Sequence, residues 1–440
     1  MHRSASRTPP MGWNSWDSFG TTVTEDEVLA NAQVMAEQML PAGWDTVVVD
    51  IQWYEPTARA GGYNDHAPLL LDGDGVQMPV EARFPSAAGG RGFGPLAARV
   101  HDLGLRFGVH LMRGIPRRAI DAALPIPGTD ATTADIALPA GHPAARCPWN
   151  SDNLGLDFSD PASQAWLDLQ IERIVGWGVD FLKVDDMLFP YHHDAIEALA
   201  AAISRAEERH GRDVTLSLSP GTHLSLAHLD HLRRHADMWR ISDDLWDRWE
   251  DLDAQFTRLA RWAPHQRAHG WADADMLPLG RIGVRAERGQ PRHSMLTAAE
   301  RRTMLTLWNL GRSPLFVGGD LPSSEDDTLA DLVNTEVLAV GRDSHNTTEL
   351  LREDDLIVWG ATGTGPREGT RWAGVFNTAD GARSVRVPLT STGLTSAQSP
   401  GAGAVTELWT GRAIDIDPAD PYAVLELDLD AHGTALLCTT

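Results

Sequence analysis

"VDFLKVDDMLFPYHH" occupies residues 179–193 and starts as an apolar, β-branched and aromatic run that turns polar at Lys183, Asp185 and Asp186. Burying such charges is costly, so a strand that ends on them reads as one that delivers them somewhere. The same texture recurs outward along the chain in "TVVVDIQWY" (46–54), "LRFGVHLMRG" (105–114), "VTLSLSPG" (214–221), "MWRISDD" (238–244) and "SPLFVGGDL" (313–321). Near-continuous apolar runs of this length are the pattern of parallel strands covered on both faces. Between them lie helix patterns. Val28, Ala32, Met35 and Met39 share a face behind a Thr24/Glu27 capping box; Leu96, Val100 and Leu103 follow Pro95; Ile196, Leu199, Ala200 and Ile203 precede Gly211. With "MGWNSW" (11–16) as a first strand and a weak seventh in "GWADADMLPLG" (270–280), the pattern predicts eight β/α units, an α/β fold of the (β/α)8 TIM-barrel class over residues 1–335. Beyond that the texture changes to short strands with turn residues, which predicts a small C-terminal antiparallel β-sandwich domain over 345–440.

Charge and composition narrow the function. The 440 residues carry a formal charge of −24, which argues against nucleic acid and membrane as partners and leaves a small neutral molecule. The amino terminus has no apolar stretch of signal-peptide length, and no segment approaches the ~20 residues of a membrane span, so a soluble, cytoplasmic protein is expected. Cys147 and Cys438 are too far apart in sequence, and too lacking in ligand spacing, to suggest a disulfide framework or a zinc site. Sixteen tryptophans against four tyrosines fit either a large core or the stacking of indoles on sugar rings.

In a barrel the polar strand ends open onto one face, where the chemistry sits. Strand two then brings Asp50, Ile51, Gln52 and Trp53; strand three His110 and Arg113; strand four Lys183, Asp185 and Asp186; strand six Arg240, Asp243 and Asp244. Carboxylates facing each other across a sugar suit glycoside cleavage, one protonating the leaving oxygen and the other attacking or activating water. Asp186, Asp273 and Asp275 read as structural, and of Asp243 and Asp244 only one is expected to face the mouth, because successive strand residues point opposite ways. His192, His193 and Asp194 read as solvent-facing residues before a helix, with no metal or other cofactor expected, and "GGRGFG" (89–94) as a turn.

The segments "TPPMGWNSWDSF", "WGVDFLKVDD", "MWRISDDLWDRW", "WADADMLPLG" and "SPLFVGGDL", in this order, resemble the motifs of glycoside hydrolase family 27, of the α-galactosidases and α-N-acetylgalactosaminidases. The resemblance implies a retaining exo-glycosidase acting on terminal α-galactoside-like residues, with Asp185 as nucleophile and Asp244 as acid/base. Trp16, Asp50, Lys183 and Arg240 fall on its sugar-binding positions. Trp53 and His110 are further candidates for substrate contact.

Four departures bear on the sugar. Asp50 is followed by Ile51 where galactose-cleaving members have a second aspartate; His110 replaces a tyrosine; Met187 replaces a cysteine of a disulfide; and Ser219 or Leu218 stands at the residue bordering C2. Alternative substrates are therefore a β-L-arabinopyranoside, an α-N-acetylgalactosaminide, a 6-deoxy sugar or a glucan end. A non-catalytic carbohydrate-binding protein is the alternative from another class. The long segment 115–150 is expected to wall the pocket or to reach a neighbouring subunit of a homo-oligomer.

Overall fold

In the computed structural model of the chain, the described residues are 8–439 apart from 65, 268, 287, 396–403, 418, 419 and 421; the amino-terminal residues 1–7 lie outside them. Eight strands form one parallel sheet: β1 (Met11–Asn14), β2 (Thr46–Val49), β3 (Arg106–Met112), β4 (Phe181–Asp185), β5 (Thr215–Leu218), β6 (Met238–Arg240), β7 (Trp271–Asp273) and β8 (Leu315–Val317). The hydrogen-bonded order is β8-β1-β2-β3-β4-β5-β6-β7. The ring closes beyond β7 through a parallel bridge between Leu277 and Val317, where the Leu277 amide donates to the Phe316 carbonyl at 2.7 Å. All eight expected strands are present, and the fold is a (β/α)8 barrel.

Large side chains fill the interior, Val48, Phe181, Met238, Trp271 and Phe316 among them, with the Phe181 and Phe316 rings 5.2 Å apart. Gly12 makes the room: a Cβ there would lie 2.3 Å from the Thr46 carbonyl oxygen and 2.7 Å from the Phe316 ring. The barrel core is therefore packed solid, and ligands are confined to its mouth.

The outer layer holds α1 (Glu25–Val34), α2 (Gly94–Asp102), α3 (Pro161–Gly176), α4 (His193–His210), α5 (Leu229–His235), α6 (Trp249–Trp262), α7 (Ala298–Gly311), α8 (Asp326–Leu332) and α9 (Thr335–Arg342). Thr24 and Glu27 form the expected reciprocal cap of α1, which continues as a π-turn that still buries Met35 and Met39. Pro95 opens α2, and Gly211 closes α4 in the left-handed region at φ 61°. Among the described residues no helix is long and apolar enough to cross a membrane.

The C-terminal unit begins earlier than its first legible strand. β9 (Ser344–Glu353), β10 (Leu356–Gly363), β11 (Arg371–Asn377), β13 (Val405–Glu407), β14 (Arg412–Ile414) and β16 (Thr434–Thr439) make a six-stranded antiparallel sheet, and β12 (Arg383–Pro388) pairs with β15 (Val424–Leu429). β9 was hidden in the sequence by its polar composition, SHNTTELLRE, which carries little apolar alternation. Val358, Ala373, Val375 and Leu437 face Val385, Val387, Leu425 and Leu427 of the two-stranded sheet. The opposite face, with Trp359, Trp372, Phe376 and Leu436, joins the core shared with the barrel helices.

Ten of the sixteen tryptophans are fully buried, so core filling accounts for most of the indole content.

Candidate active site

β4 ends on Asp185, which the two neighbouring strands flank. His110 on β3 brings Nε2 to 2.9 Å from Asp185 Oδ2, and Ser219, just past β5, donates its hydroxyl to Oδ1. Burial alone would raise the acid's pKa, but the charge and hydrogen bond of His110, the Lys183 ammonium and the Ser219 hydroxyl outweigh it and hold Asp185 well below the usual carboxylate range. Lys183 donates from Nζ to Asp50 Oδ2 at 2.7 Å. Its burial is more than offset by Asp50 and Asp185, so its ammonium is held. Asp50 in turn accepts from Asn14 Nδ2 and the Ile51 amide, both at 2.7 Å, and its pKa is lowered, Lys183 overcoming the desolvation.

The β6 side is built differently. Arg240 is buried and forks between Asp244, Nη2 to Oδ1 2.9 Å, and Asp275, Nη1 to Oδ1 3.0 Å. Asp275 also accepts from the Leu245 amide at 2.7 Å, which ties it to the connection after β6 rather than to the seventh loop it was expected to brace, and burial raises its pKa against the pull of Arg240. The Asp244 side chain keeps 35% of its surface exposed, against 13% for Asp185. Both carboxylates open into one cleft of about 310 Å³, walled by Tyr63, Pro148, Trp149, Phe189, Thr222 and Arg288 as well as Asp243.

Several expectations change. Asp243 and Asp244 both reach the cleft, because β6 ends at Arg240 and the next residues are a bend in which strand alternation no longer applies. Trp53, expected to touch substrate, has no exposed surface: it donates from Nε1 to the His110 carbonyl at 2.9 Å and packs edge-on against Phe93 and Trp177. The reason is Gln52, whose φ of 64° turns the chain after β2. His110 is likewise fully buried and acts on Asp185 rather than on a ligand. Of the pair bordering C2, Leu218 is core and Ser219 touches Asp185. Asp186 sits at φ 63° and turns to Arg113, 2.7 Å from Nη2, the structural role expected of it. Trp16 lies 5.3 Å from Tyr63, nearly parallel, and Tyr63 is 5.4 Å from Trp149. Ile51 is 1% exposed in the same apolar cluster as Trp16 and Met112.

A family model described as alpha galactosidase A matches residues 157–343. The α-galactosidase of Oryza sativa is 25% identical over 382 residues, 84% of this chain and 71% of its own length. Human alpha-galactosidase A is 24% identical, over 91% of this chain and 81% of its own. Among solved structures, a family 27 β-L-arabinopyranosidase of Geobacillus stearothermophilus aligns with 41% identity and a TM-score of 0.91, covering 99% of this chain and 96% of that one. A putative α-N-acetylgalactosaminidase of Bacillus halodurans aligns with 37% identity and a TM-score of 0.84, covering 98% and 97%. The chain belongs to glycoside hydrolase family 27.

This family 27 chain is thus a glycoside hydrolase, and its site contains residues that the strand-end reading did not reach. Asp17, in the short helical turn after β1, is buried with Oδ2 unpartnered, and burial together with Asp275 raises its pKa well above the ordinary value. Tyr63 comes from the β2–α2 connection and Trp149 from the long insertion after β3. Ile115–Pro116 pairs with Asn153–Leu154 at the two ends of that insertion, and its Pro148 and Trp149 wall the cleft, as expected of it. Met187 is a buried core residue, and Cys147 and Cys438 are free thiols.

Proposed function

We propose that the enzyme is a retaining exo-glycosidase whose best substrate is a terminal β-L-arabinopyranoside, with α-D-galactosides cleaved more slowly. Asp185, ionised and held by His110 and Ser219, attacks the anomeric carbon while Asp244 protonates the departing glycosidic oxygen; a covalent glycosyl ester forms and the aglycone leaves. Asp244, now a carboxylate, takes a proton from water, which attacks the ester carbon and restores Asp185. Two inversions leave the anomeric configuration unchanged. Lys183 and Asp50 hold ring hydroxyls, and Arg240 fixes Asp244.

Ile51 carries the choice of sugar. β-L-arabinopyranose has the ring hydroxyls of α-D-galactose but a hydrogen in place of its hydroxymethyl group. A side chain that belongs to an apolar cluster with Trp16 and Met112 accepts no hydrogen bond from that hydroxyl. Leaving a buried hydroxyl unpaired costs ~1–3 kcal/mol, or roughly 5- to 150-fold in specificity. The 41% identity to a β-L-arabinopyranosidase supports the same reading. A cytoplasmic location is part of the proposal, in keeping with the two free thiols.

A panel of nitrophenyl glycosides tests it. The arabinopyranoside should give the highest kcat/KM, and Ile51→Asp should shift the ratio toward galactoside by a factor in the range above. A wild type fastest on α-galactoside, with Ile51→Asp merely weaker, overturns it.

A further inference from the structure

On the outside of the barrel, α4 and α5 each present two ligand-type side chains one helical turn apart: His193 and Glu197 on α4, His231 and His235 on α5. An i, i+4 pair shares a helix face, and here the two faces meet. Glu197 Oε1 stands at the centre, 3.4 Å from His231 Nε2, 3.7 Å from His193 Nδ1 and 3.8 Å from His235 Nε2. The His193 and His231 rings stack with centroids 3.8 Å apart.

His231 supplies the independent observation. It is 6% exposed, and its Nε2 is buried without a hydrogen-bond partner, although it points toward a carboxylate. Its Nδ1 lies 2.6 Å from the Tyr191 hydroxyl, which is itself stacked against His228. When Nδ1–H donates to that hydroxyl oxygen, the Nε2 lone pair faces the Glu197 oxygen, and a cation shared by the two would relieve their repulsion.

We propose that His193, Glu197 and His231 form a zinc site, with His235 as the nearest fourth donor and Tyr191 orienting His231. Zinc with ligands at ~2.0–2.1 Å in tetrahedral geometry separates its ligand atoms by roughly 3.3 Å, close to the spacings found. Two imidazoles and a carboxylate suit a borderline-soft divalent ion better than calcium or magnesium. The ligands are not the adjacent His192, His193 and Asp194 of the sequence; only His193 is shared, and its partners come from the next turn and the next helix.

The ion would act as a brace. The loop from β4 to α4 runs from Asp185 past Phe189, which lines the catalytic cleft, to Tyr191 and His193. A zinc joining α4 to α5 and held through Tyr191 pins the far end of that loop.

The test uses untagged, full-length protein treated with chelator and dialysed against zinc chloride, with metal read by elemental analysis and binding by calorimetry. One zinc per chain and a thermal midpoint raised by zinc are expected for the wild type. His193→Ala/Glu197→Gln changes two exposed residues, so it should fold as the wild type does while losing both responses. Tyr191→Phe should weaken binding by about tenfold. Absence of stoichiometric zinc in the wild type, or its retention in the double variant, overturns the proposal whatever sugar the enzyme prefers.

Discussion

Asp185 and Asp244 open into one cleft, from the end of β4 and the bend after β6, and the barrel holds them by opposite means. Asp185 is 13% exposed and bonded to both His110 and Ser219, with Lys183 near; Asp244 is 35% exposed and bonded to Arg240. A nucleophile must be ionised and aimed, which burial among donors provides. An acid/base must gain and lose a proton in each cycle, which contact with solvent provides. The asymmetry of burial and partners fits the roles proposed for the two.

The hardest blow to this comparison is removal of the nucleophile. Asp185→Gly should lower turnover by on the order of 10⁴-fold or more, and azide should restore part of it as a glycosyl azide of inverted configuration. Near-normal hydrolysis by that variant would reverse the assignment. Asp244→Ala should cost ~10²–10⁴-fold on substrates with poor leaving groups and far less on nitrophenyl glycosides, which need no proton. Equal losses on both would put the acid elsewhere, with Asp243→Ala the next variant to assay.

His110→Phe probes the donor rather than the acid. Loss of a hydrogen bond to a charged group, ~1.5–3 kcal/mol, should lower kcat/KM roughly 10- to 150-fold. The sign for pH follows from the same bond. His110 helps keep Asp185 low, so without it the carboxyl pKa rises and the acidic limb of the kcat/KM profile should move to higher pH. A profile of unchanged shape would make His110 merely structural.

The smallest effect concerns Asp17. Its folded pKa is raised, so in the wild type ionisation favours the unfolded chain as pH climbs above the ordinary carboxylate value, and stability falls over that range. Asp17→Asn removes the titration. Denaturant midpoints should show the variant gaining on the wild type as pH rises from about 4 toward neutrality. Parallel pH curves would mean that Asp17 is ionised and paired.

The strand ends were legible because an apolar run that stops at a carboxylate announces both a buried strand and its mouth, as in "VDFLKVDD". Trp53 was misplaced because strand two was read as running on past Val49, into a turn that Gln52 reverses. Tyr63 and Trp149 gave no local signal at all: their place in the cleft depends on how long connections fold back, and spacing does not encode that. His193 with Glu197, and His231 with His235, are visible as helical pairs, but only the packing of α4 on α5 brings the pairs together.

The six-stranded C-terminal sheet packs against the two-stranded sheet on one face and the barrel helices on the other. His432 marks the junction: its carbonyl accepts from Thr303 at 2.6 Å, its Nδ1 lies 2.8 Å from Glu300, and its ring stacks on Trp249 at 3.8 Å. For protein engineering this boundary is a weld rather than a hinge. Cutting after α9 would strip the barrel of its cover and leave an apolar wall in water, so a minimal catalytic fragment cannot be had by trimming, and calorimetry of the intact chain should show both units melting in one peak.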